Sequence, residues 1–110
     1  MTDLTIKKLQ DYLNVTYPYG PEKSSSLFMK LVEEIGEVAE ALNEIEGRKA
    51  YSEDTALAKE LVDVLHYTVA IASLNNIDLT KEIIEKDKVA AIKYNHAIDL
   101  SGFLELNTDE

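Results

Sequence analysis

Five carboxylates carry the strongest chemical signal in this chain. Glu33, Glu34 and Glu37 fall in one segment, Glu33-Glu34-Ile35-Gly36-Glu37, and Glu60 and Asp63 fall in a second, Glu60-Leu61-Val62-Asp63. A spacing of three residues on a helix stacks side chains one turn above another on the same side. Both segments lie inside apolar periodicity, so acids would stand where a neighbouring helix packs. An ionised carboxylate buried without a partner costs several kcal/mol, on the order of a whole domain's spare stability, and two together repel. Lys30 and Lys59 are the nearest cations by sequence, too few for four or five acids. A hard divalent cation is the better remedy: Mg²⁺ takes oxygen ligands and keeps positions open for water and phosphate.

The elements that must position these groups are helices. Apolar residues recur at three-and-four spacing through Leu27, Leu31, Val38 and Leu42, which predicts a helix over 24–46, capped by one of Ser24-Ser25-Ser26 and ended at Gly47. On a helical wheel its apolar arc centres near Leu31, Ile35 and Leu42, with Glu34 at the border, Glu37 just outside, and Glu33, Glu40 and Glu44 nearer solvent. A second acid-bearing helix is expected from Ser52, with Glu53 and Asp54 in its first turn, to Leu74, where Asn75-Asn76 break it. It is apolar almost all round, which places it centrally. Two further helices are predicted: one over about 4–15, stopped by Tyr17-Pro18-Tyr19-Gly20-Pro21, and one from an Asp78 cap to about 94–96. The expectation is therefore an all-α protein, a four-helix bundle, with a single domain over 1–96 and a tail over 97–110 interrupted at Ser101-Gly102.

Composition sets outer bounds. The chain has 110 residues, enough for one core, and no cysteine, so neither disulfides nor a thiolate metal site exist. Twenty-one acidic residues against 11 basic give a net charge of −10, which argues against nucleic acid as a partner. An acidic surface also repels nucleotides unless a cation stands between. No export signal or spanning segment is visible, and a cytoplasmic location with no membrane partner is expected.

These residues resemble a known family. Glu33-Glu34-x-x-Glu37 followed, after 22 residues, by Glu60-x-x-Asp63 is similar to the EExxE…ExxD signature of the MazG-like, all-α nucleoside triphosphate pyrophosphohydrolases. The flanking Lys30-Leu31-Val32, Val38-Ala39-Glu40-Ala41-Leu42, Val64-Leu65 and Asn76-Ile77-Asp78-Leu79 are similar too. The resemblance spans residues 24–94. It implies the all-α NTP pyrophosphatase fold and Mg²⁺-dependent, house-cleaning cleavage of a canonical or damaged (d)NTP to (d)NMP and pyrophosphate, with Mn²⁺ able to substitute. It implies Glu34, Glu37, Glu60 and Asp63 as metal ligands, with Glu33 as an additional ligand or support, and all five as the catalytic set. Lys30, Lys86, Lys93 and Tyr94 would contact substrate, and a homodimer or homotetramer would form. The chain departs from the family at Ala90, where an asparagine is usual, which leaves open a catalytically weak nucleotide-binding or interaction module that keeps the metal site.

Other readings of single residues stay open. Tyr17 and Tyr19 could stack on a base or simply pack their loop. A di-iron carboxylate bundle would need Glu-x-x-His on two helices. Asp63-Val64-Leu65-His66 is a distant echo on one helix only, and His66 falls on a different side from Glu60, as a core or boundary histidine would.

Overall fold

A computed structural model describes residues 2–48 and 56–107. Its described residues form five α-helices and one 3-10 turn, with no strand. The helices are α1 (Ile6–Thr16), α2 (Ser24–Ile45), α3 (Leu57–Leu74), α4 (Leu79–Lys93) and α5 (Leu100–Leu106); the 3-10 turn is Pro21–Lys23.

The starts and stops follow local chemistry. Thr5 caps α1 by accepting from the Lys8 amide, and Asp78 caps α4 by accepting from the Lys81 amide. Gly47 lies past α2 at φ 77°, the left-handed conformation that only glycine takes freely. Asn76 and Asn95 take φ 55° beyond α3 and α4, the next best residue type for that turn. Two expectations fail. The serines at 24–26 cap nothing: α2 continues directly from the 3-10 turn, Lys23 holds the N-cap position, and no side chain bonds there. Ser101-Gly102 does not break the chain but lies inside α5, whose Asp99 cap accepts from the Gly102 amide at 2.8 Å. A Cβ at Gly102 would stand 3.1 Å from the Ile98 side chain and 3.3 Å from Asp99 Oδ1, so this glycine lets the cap close. The third helix does not run unbroken from Ser52 as expected: α3 begins at Leu57 behind an extended Ala56 at φ −145°, ψ 118°, while Ser52, Glu53 and Asp54 themselves lie outside the described residues.

The core is small and centred on α3. Leu13, Leu27, Val69, Ala70 and Leu74 form it, with Leu9, Tyr17, Tyr67, Ile71 and Leu79 packed around. α3 packs mainly against α2 and then α1, as an all-round apolar helix should, whereas α4 packs against α1 and α5. α2 and α3 are antiparallel: Asn75, past the end of α3, donates to Ser24 Oγ at the start of α2 at 2.8 Å. Gln10 ties the α3–α4 turn to α1. Its Nε2 donates to the Ile77 carbonyl at 2.7 Å and its Oε1 accepts from the Leu79 amide at 3.0 Å. Ser73 Oγ donates to the Gln10 carbonyl.

Much apolar surface stays uncovered. The radius of gyration is 17.1 Å, against ~13 Å for a compact chain of this length. Phe28, Val32, Ile35 and Leu42 on α2 are exposed, as are Leu61, Val62 and Leu65 on α3. No helix among the described residues is long and apolar enough to cross a membrane.

Candidate metal centre

The packed face of α2 runs through Leu27, Leu31, Glu34, Val38 and Ala41, each buried or half-buried. Glu34 therefore sits in the middle of the α2 contact with α3, not at its border. Ile35 and Leu42, expected near the arc's centre, are exposed. The wheel average was drawn toward them because α2 has two apolar faces, and only one meets α3. At 100° per residue, Phe28, Val32, Ile35 and Leu42 fall on the flank opposite Glu33 and Glu37.

Opposite Glu34, α3 presents Glu60 and Asp63 from its first two turns. Glu60 is buried, at 9% exposure. One ligand oxygen from each of Glu34, Glu60 and Asp63 lies within 4.8 Å of the others. No lysine, arginine or histidine forms an ion pair with any of the three among the described residues. The result is a concentration of negative charge at a helix–helix contact. Burial, hydrogen bonding with Glu60, and the charges of Asp63 and Glu60 push the Glu34 carboxyl up from 4.5 to about 6. Three convergent carboxylates without a protein cation are a donor set suited to a hard divalent ion. A proton shared among them is the other means of relieving the repulsion.

The remaining expected residues distribute around this group. Glu37, one turn along α2, is half-buried and lies outside the three-residue cluster. Glu33 is exposed and pairs loosely with Lys30 at 3.8 Å, a contact worth little at the surface. Lys86, Lys93 and Tyr94 are exposed on or beyond α4, which packs on α1 and α5, so the chain's own fold does not bring them to the carboxylates. Lys93 instead lies over the Tyr94 ring at 5.3 Å, and that ring stacks on His96. Ala90 is half-buried on the same helix.

Tyr17 and Tyr19 part company. The Tyr17 hydroxyl shares a 2.7 Å hydrogen bond with His66 Nε2, and burial pushes its phenol up from 10.0. The His66 ring meets both Tyr17 and Tyr67 edge to face. Tyr19 is exposed, with Lys23 Nζ 5.8 Å from its ring centroid. The Tyr17 bond occupies His66 Nε2, and no histidine joins the carboxylate group among the described residues, so the Glu-x-x-His pattern of a di-iron site is not assembled there. Gln10 and the Tyr17–His66 pair were not singled out as structural anchors from sequence. The signal for Gln10 was its place in the stripe Ile6, Leu9, Gln10, Leu13, where a polar residue needs buried partners.

The likeness to known proteins agrees with this geometry. Residues 22–90 match the MazG nucleotide pyrophosphohydrolase domain. Two crystal structures of iMazG from Vibrio DAT 722, one with an N-terminal and one with a C-terminal tag, are each 31% identical to this chain. The first has a TM-score of 0.66 and covers 84% of this chain and 100% of its own. The second has a TM-score of 0.63 and covers 79% and 98%. No curated protein sequence matches. With the matched segment holding α2, α3 and all three clustered carboxylates, the chain belongs to the MazG nucleotide pyrophosphohydrolase family.

Proposed function

We propose that this protein is a Mg²⁺-dependent nucleoside triphosphate pyrophosphohydrolase, which adds water across the α–β phosphoanhydride to release a nucleoside monophosphate and pyrophosphate. The observation that carries the reading is the meeting of Glu34, Glu60 and Asp63 from two helices with no ion-paired cation among the described residues. Family membership supports the reaction class.

Glu34, Glu60 and Asp63 would hold the ion, with Glu37 one turn away as a further ligand. A divalent ion so held supplies the positive charge that lets a triphosphate approach a protein of net charge −10. Glu60 lies buried at the start of α3 and Glu34 on the packed face of α2, so both carboxylates stand at the helix–helix contact before substrate arrives. Glu33 and Lys30 stand at the solvent edge, where Lys30 is available to a phosphate oxygen. Mn²⁺, also served by carboxylates, would substitute.

Assembly belongs to the same reading. The exposed flank of α2 and the exposed Leu61, Val62 and Leu65 of α3 make an apolar surface that a second copy would cover, giving a homodimer or homotetramer. A further copy is also the route by which Lys86, Lys93 and Tyr94 would reach a substrate bound at the carboxylates. A soluble enzyme of the cell interior, acting on free nucleotides and not on nucleic acid, is consistent with the acidic charge.

The test is pyrophosphate release across a panel of canonical and modified (d)NTPs, with Mg²⁺ and with chelator. Metal-dependent release of equimolar monophosphate and pyrophosphate is expected. Nucleotide binding without release would instead mark a sensor, the alternative favoured by Ala90, and release of orthophosphate as the primary product would contradict the proposed bond.

A further inference from the structure

The segment between α1 and α2 is anchored to α3 at both of its ends. At one end the Tyr17 hydroxyl bonds His66 Nε2 at 2.7 Å; at the other Ser24 Oγ accepts from Asn75 Nδ2 at 2.8 Å. The two anchor points, His66 on α3 and Asn75 just past its end, are nine residues apart, about 13.5 Å along a helix. Between them the chain is braced on itself. The Tyr17 amide donates to Leu13, the Tyr19 amide to Tyr17, the Gly20 amide to Glu22 Oε1 and the Lys23 amide to Gly20. Pro18 and Pro21 fix two more backbone angles. The 3-10 turn then runs straight into α2 with no intervening hinge residue. A stiff strap of this kind sets how far α2 slides along α3.

That slide matters to the carboxylates. Glu34 comes from α2, Glu60 and Asp63 from α3, and one residue of axial slip moves Glu34 by about 1.5 Å. Metal sites tolerate about 0.2 Å in ligand distance. His66 follows Asp63 by three residues, so the anchor grips α3 one turn from a clustered carboxylate. We propose that His66 and Tyr17 are positioning residues: their hydrogen bond holds α2 in the register that brings Glu34 against Glu60 and Asp63. The role of that register in turnover rests on the proposed pyrophosphohydrolase reaction; the register itself does not.

The experiment compares Tyr17→Phe, His66→Leu, the double variant and His66→Gln with the wild-type chain. Tyr17→Phe removes one oxygen and keeps the ring in the core. Amide exchange is measured across 31–38 and across α4, and kcat and KM on whichever nucleotide the wild type cleaves best. Each single variant should raise exchange across 31–38 about ten-fold while leaving α4 unchanged, and lower kcat about ten-fold with KM within two-fold. The double variant should be no worse than either single one, because both remove the same bond. His66→Gln, which restores a hydrogen-bonding group at similar reach, should recover most of both readouts. Unchanged exchange across 31–38, a rise spread evenly over α4, additive losses, or no recovery with glutamine would each overturn the inference. A wild-type chain that cleaves no nucleotide would sink the proposed reaction, and the exchange pattern would still decide the register.

Discussion

Glu34 and Asp63 approach each other from antiparallel helices, inside a 4.8 Å group completed by Glu60, and none of the three has an ion-pair partner among the described residues. Like charges so placed favour either a bound proton or a bound cation. The first prediction separates binding from folding. Asp63→Asn keeps side-chain size and removes one charge, so the helical fold should persist while Mg²⁺-dependent activity falls at least ~100-fold, as is typical when a charge-stabilising group in a site is lost. Circular dichroism and turnover read the two effects. Unchanged turnover would remove Asp63 from the site.

Metal should stabilise the native chain. The three carboxylates converge only when folded, so Mg²⁺ binds the native state preferentially. At 100 times the dissociation constant the linkage is worth about 2.7 kcal/mol, which for a chain of this size is a rise of roughly 10 °C in Tm. A thermal scan with added MgCl₂ checks it. The rise should shrink sharply in Asp63→Asn, and a flat response at concentrations that saturate activity would contradict metal binding at this group.

The raised Glu34 carboxyl gives a pH dependence with a definite sign. In the metal-free protein its value is about 6 against an ordinary 4.5. Between those values the native state holds more protons than the unfolded chain, so stability falls as pH rises. The contribution is complete below pH 4.5 and lost above pH 6. Chelated wild-type protein should therefore lose Tm across that window relative to Glu34→Gln, which lacks the titrating group. With saturating Mg²⁺ the ion competes with the proton, so metal stabilisation should grow as pH rises through 6. Parallel Tm profiles for wild type and Glu34→Gln in chelator would refute the shift.

Gln10 joins α1 to the α3–α4 turn through one side chain, donating to the Ile77 carbonyl and accepting from the Leu79 amide. Gln10→Ala should cost about 2–3 kcal/mol, two net hydrogen bonds plus the penalty for groups left unpaired. Since α4 is held chiefly by α1 and α5, exchange should rise first at the start of α4 and leave the α2–α3 contact protected. Urea denaturation and amide exchange measure the two parts. Even loss of protection through all helices would show that Gln10 serves the whole core equally.

The limits of sequence reading follow from the same contacts. Helix ends were legible where a boundary residue has a local reason: the left-handed backbone at Gly47 and Asn76, and the side-chain cap at Asp78. Of the acids that three-residue spacing inside apolar periodicity singled out, Glu34, Glu60 and Asp63 converge, whereas Glu33 and Glu37 stand outside the group. The orientation of α2 was not legible, because hydropathy sums over both of its apolar faces and cannot say which one meets α3. Glu34 was placed at a border although it faces α3 directly. The segment 97–110 was read as a tail broken at Ser101-Gly102, because glycine normally weakens a helix, and α5 was not expected there. Its cap from Asp99, and the Leu100 amide donating to Asp87 Oδ2 at 2.6 Å, offset that in ways visible only in three dimensions. The serines at 24–26 looked like caps, but a 3-10 turn already supplies the entry to α2.

The uncovered apolar flank yields the last prediction. Ile35 and Leu65 are both about half exposed, 51% and 46%, on flanks of the two helices whose packed faces carry the carboxylates and the core. A second copy covering them would bury Phe28, Val32 and Leu61 with them. A single charge introduced there must be desolvated on association, at several kcal/mol if unpaired, but meets only water in the isolated chain. Ile35→Glu and Leu65→Glu should therefore shift the wild-type assembly to monomer in light scattering while helical circular dichroism is largely retained. The proposal that Lys86, Lys93 and Tyr94 act from another copy adds a further expectation: the monomeric variants should lose nucleotide affinity yet keep Mg²⁺ binding, because Glu34, Glu60 and Asp63 all come from one chain. Monomers with wild-type KM would confine substrate binding to a single protomer, and a wild-type chain already monomeric at high concentration would leave the flank without the proposed occupant.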